Sequence, residues 1–228
     1  MKNNPTILTK IPHFSELQRR YPGLRALFFD MDGTLFDTEK YHETAMLMFG
    51  SEYSIKAPAG IGPLYDLMVG KADHLVFDLI RFWQGFPQDW SLRDFVTEKN
   101  KNVFEALIGV EASEFFPRET MELLVAAKKE KIFVALVTSS EKVITQKLLE
   151  ITGLEEFFDL VLTRDDCPFH KPDPWPYLEA AKKSGAHPQE IVIFEDSKVG
   201  LEAATAAGAN VVKVEWFVPL SSKHELKV

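Results

Sequence analysis

Residues 28–38 read FFDMDGTLFDT, an apolar run that ends abruptly in two aspartates, Asp30 and Asp32, followed by Gly33. The residues from position 24 to the first aspartate have the composition of a buried strand. Alternation along an extended chain places both aspartates on the same side. Two carboxylates held together repel each other unless a cation lies between them or one carries a proton. The pattern therefore favours a site with a magnesium ion, a nucleophile and a proton carrier.

Two ordinary explanations compete for this Asp-x-Asp-Gly segment. A calcium-binding EF-hand loop needs glycine at its sixth position and glutamate at its twelfth. Here the glycine is fourth and the preceding segment resembles a strand, so we reject a calcium loop. Asp and Gly are also common wherever a strand enters a turn. An isolated motif does not exclude an ordinary strand-to-turn exit. The rest of the chain has to discriminate between that explanation and a functional site.

The composition is that of a globular protein and gives no support for nucleic-acid binding. The 228 residues are 46% hydrophobic and 26% charged, with 26 Lys and Arg against 34 Asp and Glu and a net charge of −8. No basic run stands out. A phosphorylated substrate is repelled on average, so any phosphate site has to be made locally cationic by a metal and lysines.

Cysteine usage and hydropathy predict a cytoplasmic protein with no membrane partner. Cys167 is the only cysteine, so no disulfide can form within the chain, as suits a reducing compartment. Residues 1–10 contain no apolar core of signal-peptide length. No segment is long and apolar enough to cross a bilayer.

Short apolar runs and helical stretches alternate in the second half of the chain. The apolar runs predict five buried strands, at residues 24–29, 132–138, 160–163, 191–194 and 211–214. The predicted helix signals between them are a cap at Ser140 with a stop at Gly153, a start at Pro174 and Pro176 with a stop near Gly185, and a start at Ser197 with a stop near Gly208. This alternation indicates βαβ units and a parallel sheet.

Residues 39–116 interrupt this alternation with amphipathic helices, clearest at 44–49, 73–83 and 92–107. We predict a helical cap domain at 39–116, inserted into a core domain of residues 1–38 and 117–228, with hinges near 37–40 and 114–118. The Phe and Trp residues of the insert are interpreted as core packing rather than as a ligand cage. Residues 1–23 are expected to form an arm with a short helix around residues 14–20.

Three further polar clusters follow predicted strands: Thr138-Ser139-Ser140, residues 169–174 around Lys171, and Glu195-Asp196-Ser197. Alone, each has an ordinary explanation as a helix cap, a solvated lysine, or acids favoured at a helix start. In an open parallel sheet, however, ligands bind beyond the carboxyl ends of the strands at a topological switch point. All these clusters are expected to meet the first motif at that edge.

With these motifs in this order, the chain resembles the haloacid dehalogenase superfamily, most of all its helical-cap branch of β-phosphoglucomutase-like and phosphoglycolate-phosphatase-like enzymes. The matching positions are residues 30–34, Thr138, Lys171 and Glu195-Asp196. The resemblance extends over about residues 24–215 and is specific in the core but loose in the insert. It implies an α/β fold, a doubly wound parallel Rossmann-like sheet with its five strands in the order 5-4-1-2-3, and an inserted α-helical cap.

The resemblance implies phosphoryl transfer, because Asp32 is present where the dehalogenases of the superfamily lack an acid. Asp30 would attack the substrate phosphorus and form an aspartyl phosphate. Asp32 would protonate the departing oxygen and then deprotonate the attacking water. The pKa of Asp32 is therefore expected to lie nearer the working pH than that of a free aspartate.

The same resemblance implies a Mg²⁺ cofactor and a phosphate pocket. The implied metal ligands are the Asp30 carboxylate, the Asp32 backbone carbonyl and Asp196, with Glu195 either direct or acting through its neighbours. The groups implied to hold or neutralise the phosphoryl group are Lys171, Thr138, the Ser139 amide and the close backbone approach at Gly33.

Two residues of the insert are further candidates for substrate binding. His42 falls where helical-cap relatives often carry a histidine near the hinge, and an ordinary surface histidine is the alternative. Lys99 lies in a segment resembling one that contacts sugar phosphate in β-phosphoglucomutase, and a solvated helix end is the alternative.

The expected activity is a Mg²⁺-dependent phosphatase acting on a small phosphorylated metabolite, of the sugar phosphate or phosphoglycolate type. A β-phosphoglucomutase-like phosphomutase is the alternative, but Glu141 replaces a lysine and Asp73 replaces a cap arginine of the mutase pattern, unless Lys71 or Lys142 substitutes. A catalytically idle binding protein is disfavoured because no motif residue is missing. Phosphonate chemistry through Lys71 has no specific support. The physiological substrate and the oligomeric state stay open.

Overall fold

The computed structural model describes residues 5–61 and 73–217, and within them lies a sheet of six parallel strands. The strands are arranged in the order β1-β6-β5-β2-β3-β4. Their bounds are Thr6–Leu8 (β1), Ala26–Phe29 (β2), Phe133–Val137 (β3), Leu160–Leu162 (β4), Ile191–Glu195 (β5) and Asn210–Val214 (β6). The five predicted strands and their order are confirmed, and so is the parallel α/β fold.

The edge strand β1 was not predicted. It pairs in parallel with β6, with Ile7 opposite Lys213. Only two of its three residues, Ile7 and Leu8, are apolar, so the segment was not among the apolar runs from which the other strands were predicted. Its presence extends the sheet by one strand beyond β6.

Helices follow the strands largely as predicted. The described residues contain α1 (Phe14–Arg20), α2 (Glu39–Glu52), α3 (Asp73–Ile80), α4 (Leu92–Ala106), α5 (Arg118–Lys129), α6 (Lys142–Thr152), α7 (Trp175–Ser184) and α8 (Lys198–Ala206), with short 3₁₀ turns at Ala112–Glu114, Glu155–Phe157, Arg164–Asp166 and Pro188–Glu190. The predicted cap at Ser140 is wrong: Glu141 is the N-cap of α6, because the Ser140 hydroxyl bonds to Asp32 instead. Ser197 does cap α8, accepting from the Gly200 amide at 3.1 Å.

The chain divides into two compact units. The first comprises Met1–Thr38 and Glu111–Val228 and contains the sheet, and the second is Glu39–Val110 with helices α2 to α4. The Asp37 amide donates to the Phe115 carbonyl at 2.7 Å within the first unit. Gly70 and Lys71, which entered the comparison with the mutase pattern, lie outside the described residues.

The second unit has an aromatic core of its own. Phe49 and Phe95 are fully buried and pack edge to face, with 5.5 Å between ring centroids. The rest of this buried cluster consists of Met46, Val76, Phe77, Ile80, Trp83 and Phe86. For the aromatic residues of this cluster, the interpretation as packing is confirmed; Phe82, also in the insert, is exposed.

Burial of the central strands leaves their ends as the place for polar groups. Every residue of β2 and β5 is buried, and Phe29 stacks on Phe194 with 4.8 Å between ring centroids. A strand buried on both faces offers no wet surface along its length. Chemistry is therefore positioned where the strands end.

In the part of the chain that the structure describes, no helix has the length and apolarity to span a bilayer.

Candidate active site

The loop that follows β2, residues 30–36, is a tight turn at the carboxyl edge of the sheet. The Asp30 amide donates to the Phe194 carbonyl of β5 at 3.0 Å, which continues the strand pairing to the first aspartate. The Met31 carbonyl then accepts the amides of Leu35 and Phe36, both at 2.9 Å. We call residues 30–36 the Asp30 loop. Its backbone bonds hold both aspartates at the end of β2.

Lys171 lies between two carboxylates at this edge. Its Nζ donates to Asp30 Oδ1 and to Glu195 Oε1, each at 2.6 Å, and to the Val137 carbonyl at 3.0 Å. The lysine side chain is 3% exposed. A buried ammonium is tolerated only when it is paired and hydrogen-bonded. These three acceptors, at the ends of β2, β5 and β3, satisfy its three donors.

Burial and like charge shift the pKa values of these groups. Burial and then the Glu195 carboxylate raise the pKa of Asp30 well above its usual value, while Lys171 opposes this shift. Burial alone would lower the pKa of Lys171, but the Asp30 and Glu195 carboxylates raise it well above its usual value. Burial and then Glu195 raise the pKa of Asp196 to about 6. Negative charge is therefore crowded at this edge despite the lysine.

Asp196 lies directly against the Asp30 loop. The Thr34 hydroxyl donates to Asp196 Oδ1 at 3.0 Å. Gly33 has a φ of +75°, and a Cβ at this position would lie 2.4 Å from Asp196 Oδ2. Only glycine meets both conditions without displacing the carboxylate. Glycine at position 33 thus makes room for Asp196, in addition to the predicted phosphate approach.

The carboxylates of Asp30, Glu195 and Asp196 fit a divalent cation. Each offers an oxygen, and these atoms lie within 4.8 Å of one another. Carboxylate oxygens are the ligands that Mg²⁺ prefers. Three ionised carboxylates and one lysine leave two negative charges, which a divalent cation would neutralise. The Asp32 backbone carbonyl as a further ligand stays a prediction.

Asp32 is held by two hydroxyl groups that the sequence did not single out for this role. Thr38 Oγ1 donates to Asp32 Oδ1 at 2.6 Å, and Ser140 Oγ donates to Asp32 Oδ2 at 2.5 Å. Thr38 ends the first segment of the sheet-containing unit, and Ser140 follows β3. The only sequence signal for Ser140 was its position next to Thr138-Ser139 after a strand. The two hydroxyls fix the orientation of the Asp32 carboxyl.

Thr138 and Ser139 follow β3 at the same edge. Thr138 is buried, and its Oγ1 accepts the Ser140 amide at 3.0 Å. Ser139 is exposed. Their predicted contacts to a phosphoryl group stay predictions.

Two further residues donate hydrogen bonds to Glu195, and a glycine leaves room for its carboxylate. Tyr177 Oη donates to Glu195 Oε1 at 2.9 Å, and the Ser197 amide and hydroxyl both donate to Oε2 at 3.1 Å. A Cβ on Gly200 would lie 1.7 Å from Glu195 Oε1. The sequence did not predict Tyr177 as a neighbour of Glu195. The only sign of it was a tyrosine on the side of α7 that faces the sheet.

Trp216 reaches the Asp30 loop from just beyond β6. Its indole N–H donates to the Thr34 carbonyl at 2.8 Å, and its ring packs on that of Phe194 with 5.9 Å between the ring centroids. The Glu215 amide donates to the Leu8 carbonyl of β1 at 2.8 Å. The unpredicted strand β1 thus pairs with the segment that carries this tryptophan.

The remaining candidates, His42 and Lys99, lie on α2 and α4 of the second unit. His42 is half-buried. Lys99 forms an ion pair with Asp73 at 2.7 Å, and its side chain is 12% exposed. The alternative of a solvated helix end is therefore wrong for Lys99. Substrate contacts by either residue stay predictions.

Comparison with known proteins gives concordant matches over most of the chain. Fructose-1-phosphate phosphatase YqaB of Escherichia coli K12 is 31% identical over 202 residues, 87% of this chain and 98% of the relative. A phosphorylated carbohydrates phosphatase of Thermotoga maritima is 30% identical over 188 residues, 81% of this chain and 82% of the relative. The crystal structure of a beta-phosphoglucomutase from Clostridium difficile shares the fold, with a TM-score of 0.66 at 22% identity over 89% of this chain and 96% of that chain.

The family model for haloacid dehalogenase-like hydrolases matches residues 24–208. That range extends from just before β2 to just after α8 and contains the Asp30 loop, Thr138, Lys171 and Glu195-Asp196. The family match and the arrangement of carboxylates around the buried lysine agree, and this chain belongs to the haloacid dehalogenase-like hydrolases.

Proposed function

We propose that this protein is a Mg²⁺-dependent phosphatase that hydrolyses a small phosphorylated metabolite, of the sugar phosphate or phosphoglycolate type, through an aspartyl phosphate on Asp30. The observation that carries the proposal is Lys171 held at 2.6 Å from Asp30, beside Glu195 and Asp196. The names of two relatives, a fructose-1-phosphate phosphatase and a phosphorylated carbohydrates phosphatase, support this substrate class.

In the first step an Asp30 carboxylate oxygen attacks the phosphorus, and the bond between phosphorus and the substrate oxygen breaks. The departing oxygen takes a proton from Asp32 and leaves as part of the alcohol product. The hydroxyls of Thr38 and Ser140 hold the Asp32 carboxyl in one orientation for this transfer. The product of the step is an acyl phosphate on Asp30.

In the second step water attacks the phosphorus, and the bond to the Asp30 oxygen breaks. Asp32 accepts the proton of the attacking water, so both aspartates return to their starting states as inorganic phosphate leaves. Lys171 stabilises the negative charge of the transferring group, with Thr138 and the Ser139 amide as donors to its oxygens.

Asp30, Asp196 and Glu195 would hold the Mg²⁺ ion, together with the Asp32 backbone carbonyl. When bound, the ion supplies positive charge that favours the ionised form of Asp30 and offsets charge on the phosphoryl group. This positive charge would offset the effects that raise the pKa of Asp30, which otherwise disfavour the ionised, nucleophilic form of the residue.

The ion pair between Asp73 and Lys99 favours a phosphatase over a phosphomutase. A mutase has to grip a second phosphate, and Asp73 and Glu141 stand where the mutase pattern carries cations. Asp73 also neutralises Lys99 at 2.7 Å. We further propose that the helical insert, residues 39–116, acts as a cap that excludes water during turnover.

A phosphate-release screen tests this function. Wild-type protein is incubated with a panel of sugar phosphates and phosphoglycolate, with Mg²⁺ or with EDTA, and inorganic phosphate and substrate isomers are measured. We expect phosphate in stoichiometric yield, only with Mg²⁺. Asp30→Asn should lower turnover by at least about 10³-fold with an unchanged circular dichroism spectrum. Isomers without phosphate would favour the mutase, and a wild-type rate in Asp30→Asn would rule out the aspartyl phosphate.

A further inference from the structure

Tyr177 is a buried tyrosine that the reaction as described does not use. It lies on α7, is fully buried, and donates its hydroxyl to Glu195 Oε1 at 2.9 Å. The same oxygen accepts Lys171 Nζ at 2.6 Å. The ammonium of Lys171 also lies 4.8 Å from the centroid of the Tyr177 ring. One side chain therefore contacts both the lysine and the acid that orients the lysine.

The Glu195 carboxylate has little freedom to move. Its second oxygen accepts the Ser197 amide and hydroxyl at 3.1 Å each. Gly200 faces the carboxylate so closely that any side chain there would collide with it. With Tyr177 and Lys171 on the first oxygen, four donors converge on Glu195. A carboxylate bonded from four sides is fixed in a single rotamer.

The hydroxyl of Tyr177 distinguishes this role from simple packing. Phenylalanine would fill the same volume and offer the same ring face to the lysine. A buried hydroxyl, by contrast, costs free energy unless it is hydrogen-bonded. Its bond goes to Glu195 Oε1, which also accepts from Lys171. Packing alone would not require a hydroxyl there.

We propose that Tyr177 is a positioning residue, which acts through Glu195 to hold Lys171 against Asp30. The inference rests on the proposed function, in which Lys171, held beside Asp30, stabilises the negative charge of the transferring phosphoryl group. Tyr177 touches neither substrate nor reacting atoms in this role. Loss of its hydroxyl leaves Glu195 Oε1 with Lys171 alone, so that the acid and the lysine gain freedom together.

Tyr177→Phe tests the proposal, because it keeps the ring and removes one donor. We expect kcat to fall about tenfold, as for partners that orient groups at metal sites, while KM changes less than about twofold because ground-state binding is retained. Thr152→Val is the matched control. It removes a buried hydroxyl of the same unit that donates to the Leu148 carbonyl at 2.6 Å, on α6. It should lower the melting temperature similarly and leave kcat unchanged.

Two outcomes would overturn the proposal in an active enzyme: a wild-type kcat in Tyr177→Phe, or an equal loss of kcat in Thr152→Val. Both leave the proposed function standing if wild-type protein releases phosphate and Asp30→Asn does not. If wild-type protein hydrolyses nothing in the panel, the proposed function fails instead. Urea unfolding of Tyr177→Phe, Lys171→Met and the double variant then decides the positioning role. Non-additive changes in stability are expected, and additive changes contradict it.

Discussion

At the residue scale, the negative charges of the site exceed its positive charge. Lys171 brings one positive charge to Asp30 and Glu195, and Asp196 adds a further carboxyl with a pKa of about 6. Pairing makes the buried lysine tolerable, but it leaves an excess of negative charge. A site of this kind attracts a phosphate only after a cation has been added. We therefore expect the proposed phosphatase activity to depend on a cation.

Gly33→Ala should weaken the binding of the metal more than it lowers the free energy of unfolding. Its φ of +75° costs any alanine roughly 1 kcal/mol, and its Cβ would meet Asp196 Oδ2 at 2.4 Å. Gly23→Ala is the control, because Gly23 has a φ of +89° with open space where the Cβ would lie. Activity titrated with Mg²⁺ should show half-saturation raised about tenfold or more in Gly33→Ala and unchanged in Gly23→Ala. Equal titrations in the two variants would contradict the assignment of Asp196 to the metal.

The pKa of Asp196 predicts a pH-dependent response to Mg²⁺. A proton competes with the metal for the carboxylate, and a pKa of about 6 places that competition near pH 6. Without metal, the raised pKa means that the folded state binds the proton more tightly, so the contribution of Asp196 to stability falls as pH rises between about 4 and 6. The increase in melting temperature on adding Mg²⁺ should therefore be full above about pH 7 and shrink as pH falls through 6. The same increase at about pH 5 would contradict this prediction.

At the element scale, parallel strands explain why residues distant in the chain meet. The ends of β2, β3 and β5 contribute Asp30, the Val137 carbonyl and Glu195, and all three accept from Lys171. The lysine itself comes from the loop that follows β4, just before α7. Because neighbouring parallel strands end at one edge, a polar residue after each strand is enough to assemble the site.

The aromatic core of the second unit predicts where that unit is vulnerable. Phe95→Ala removes a fully buried ring and should cost about 3–5 kcal/mol in free energy of unfolding. Phe82→Ala is the control within the same unit, because Phe82 is 77% exposed. Its contact with Arg81 is a surface one, and its loss should cost less than about 1 kcal/mol. Urea unfolding measures both, and equal losses would contradict the assignment of the core.

At the scale of the whole molecule, the sequence predicted the sheet and the meeting of Asp30 with Lys171. Both follow from apolar runs with polar ends, a pattern that is local and periodic. Tyr177 and Trp216 were not predicted as neighbours of the site, because their contacts depend on how α7 and β6 pack on the sheet rather than on any nearby spacing. β1 was missed because only two of its three residues are apolar, so it does not form an apolar run. Roles for His42 and Lys99 stay predictions for the same reason: they depend on tertiary placement.

The bond from the Trp216 indole to the Thr34 carbonyl has a spectroscopic consequence. Indole emission responds to a change in its hydrogen bonding, and Thr34 is also the residue whose hydroxyl contacts Asp196. Trp216 is thus a built-in fluorophore bonded to the residue that contacts Asp196, the proposed cation-binding carboxylate. If the proposed cation binds, stopped-flow mixing should time its arrival without a dye or a substrate, and the change in emission should be smaller in Trp216→Phe.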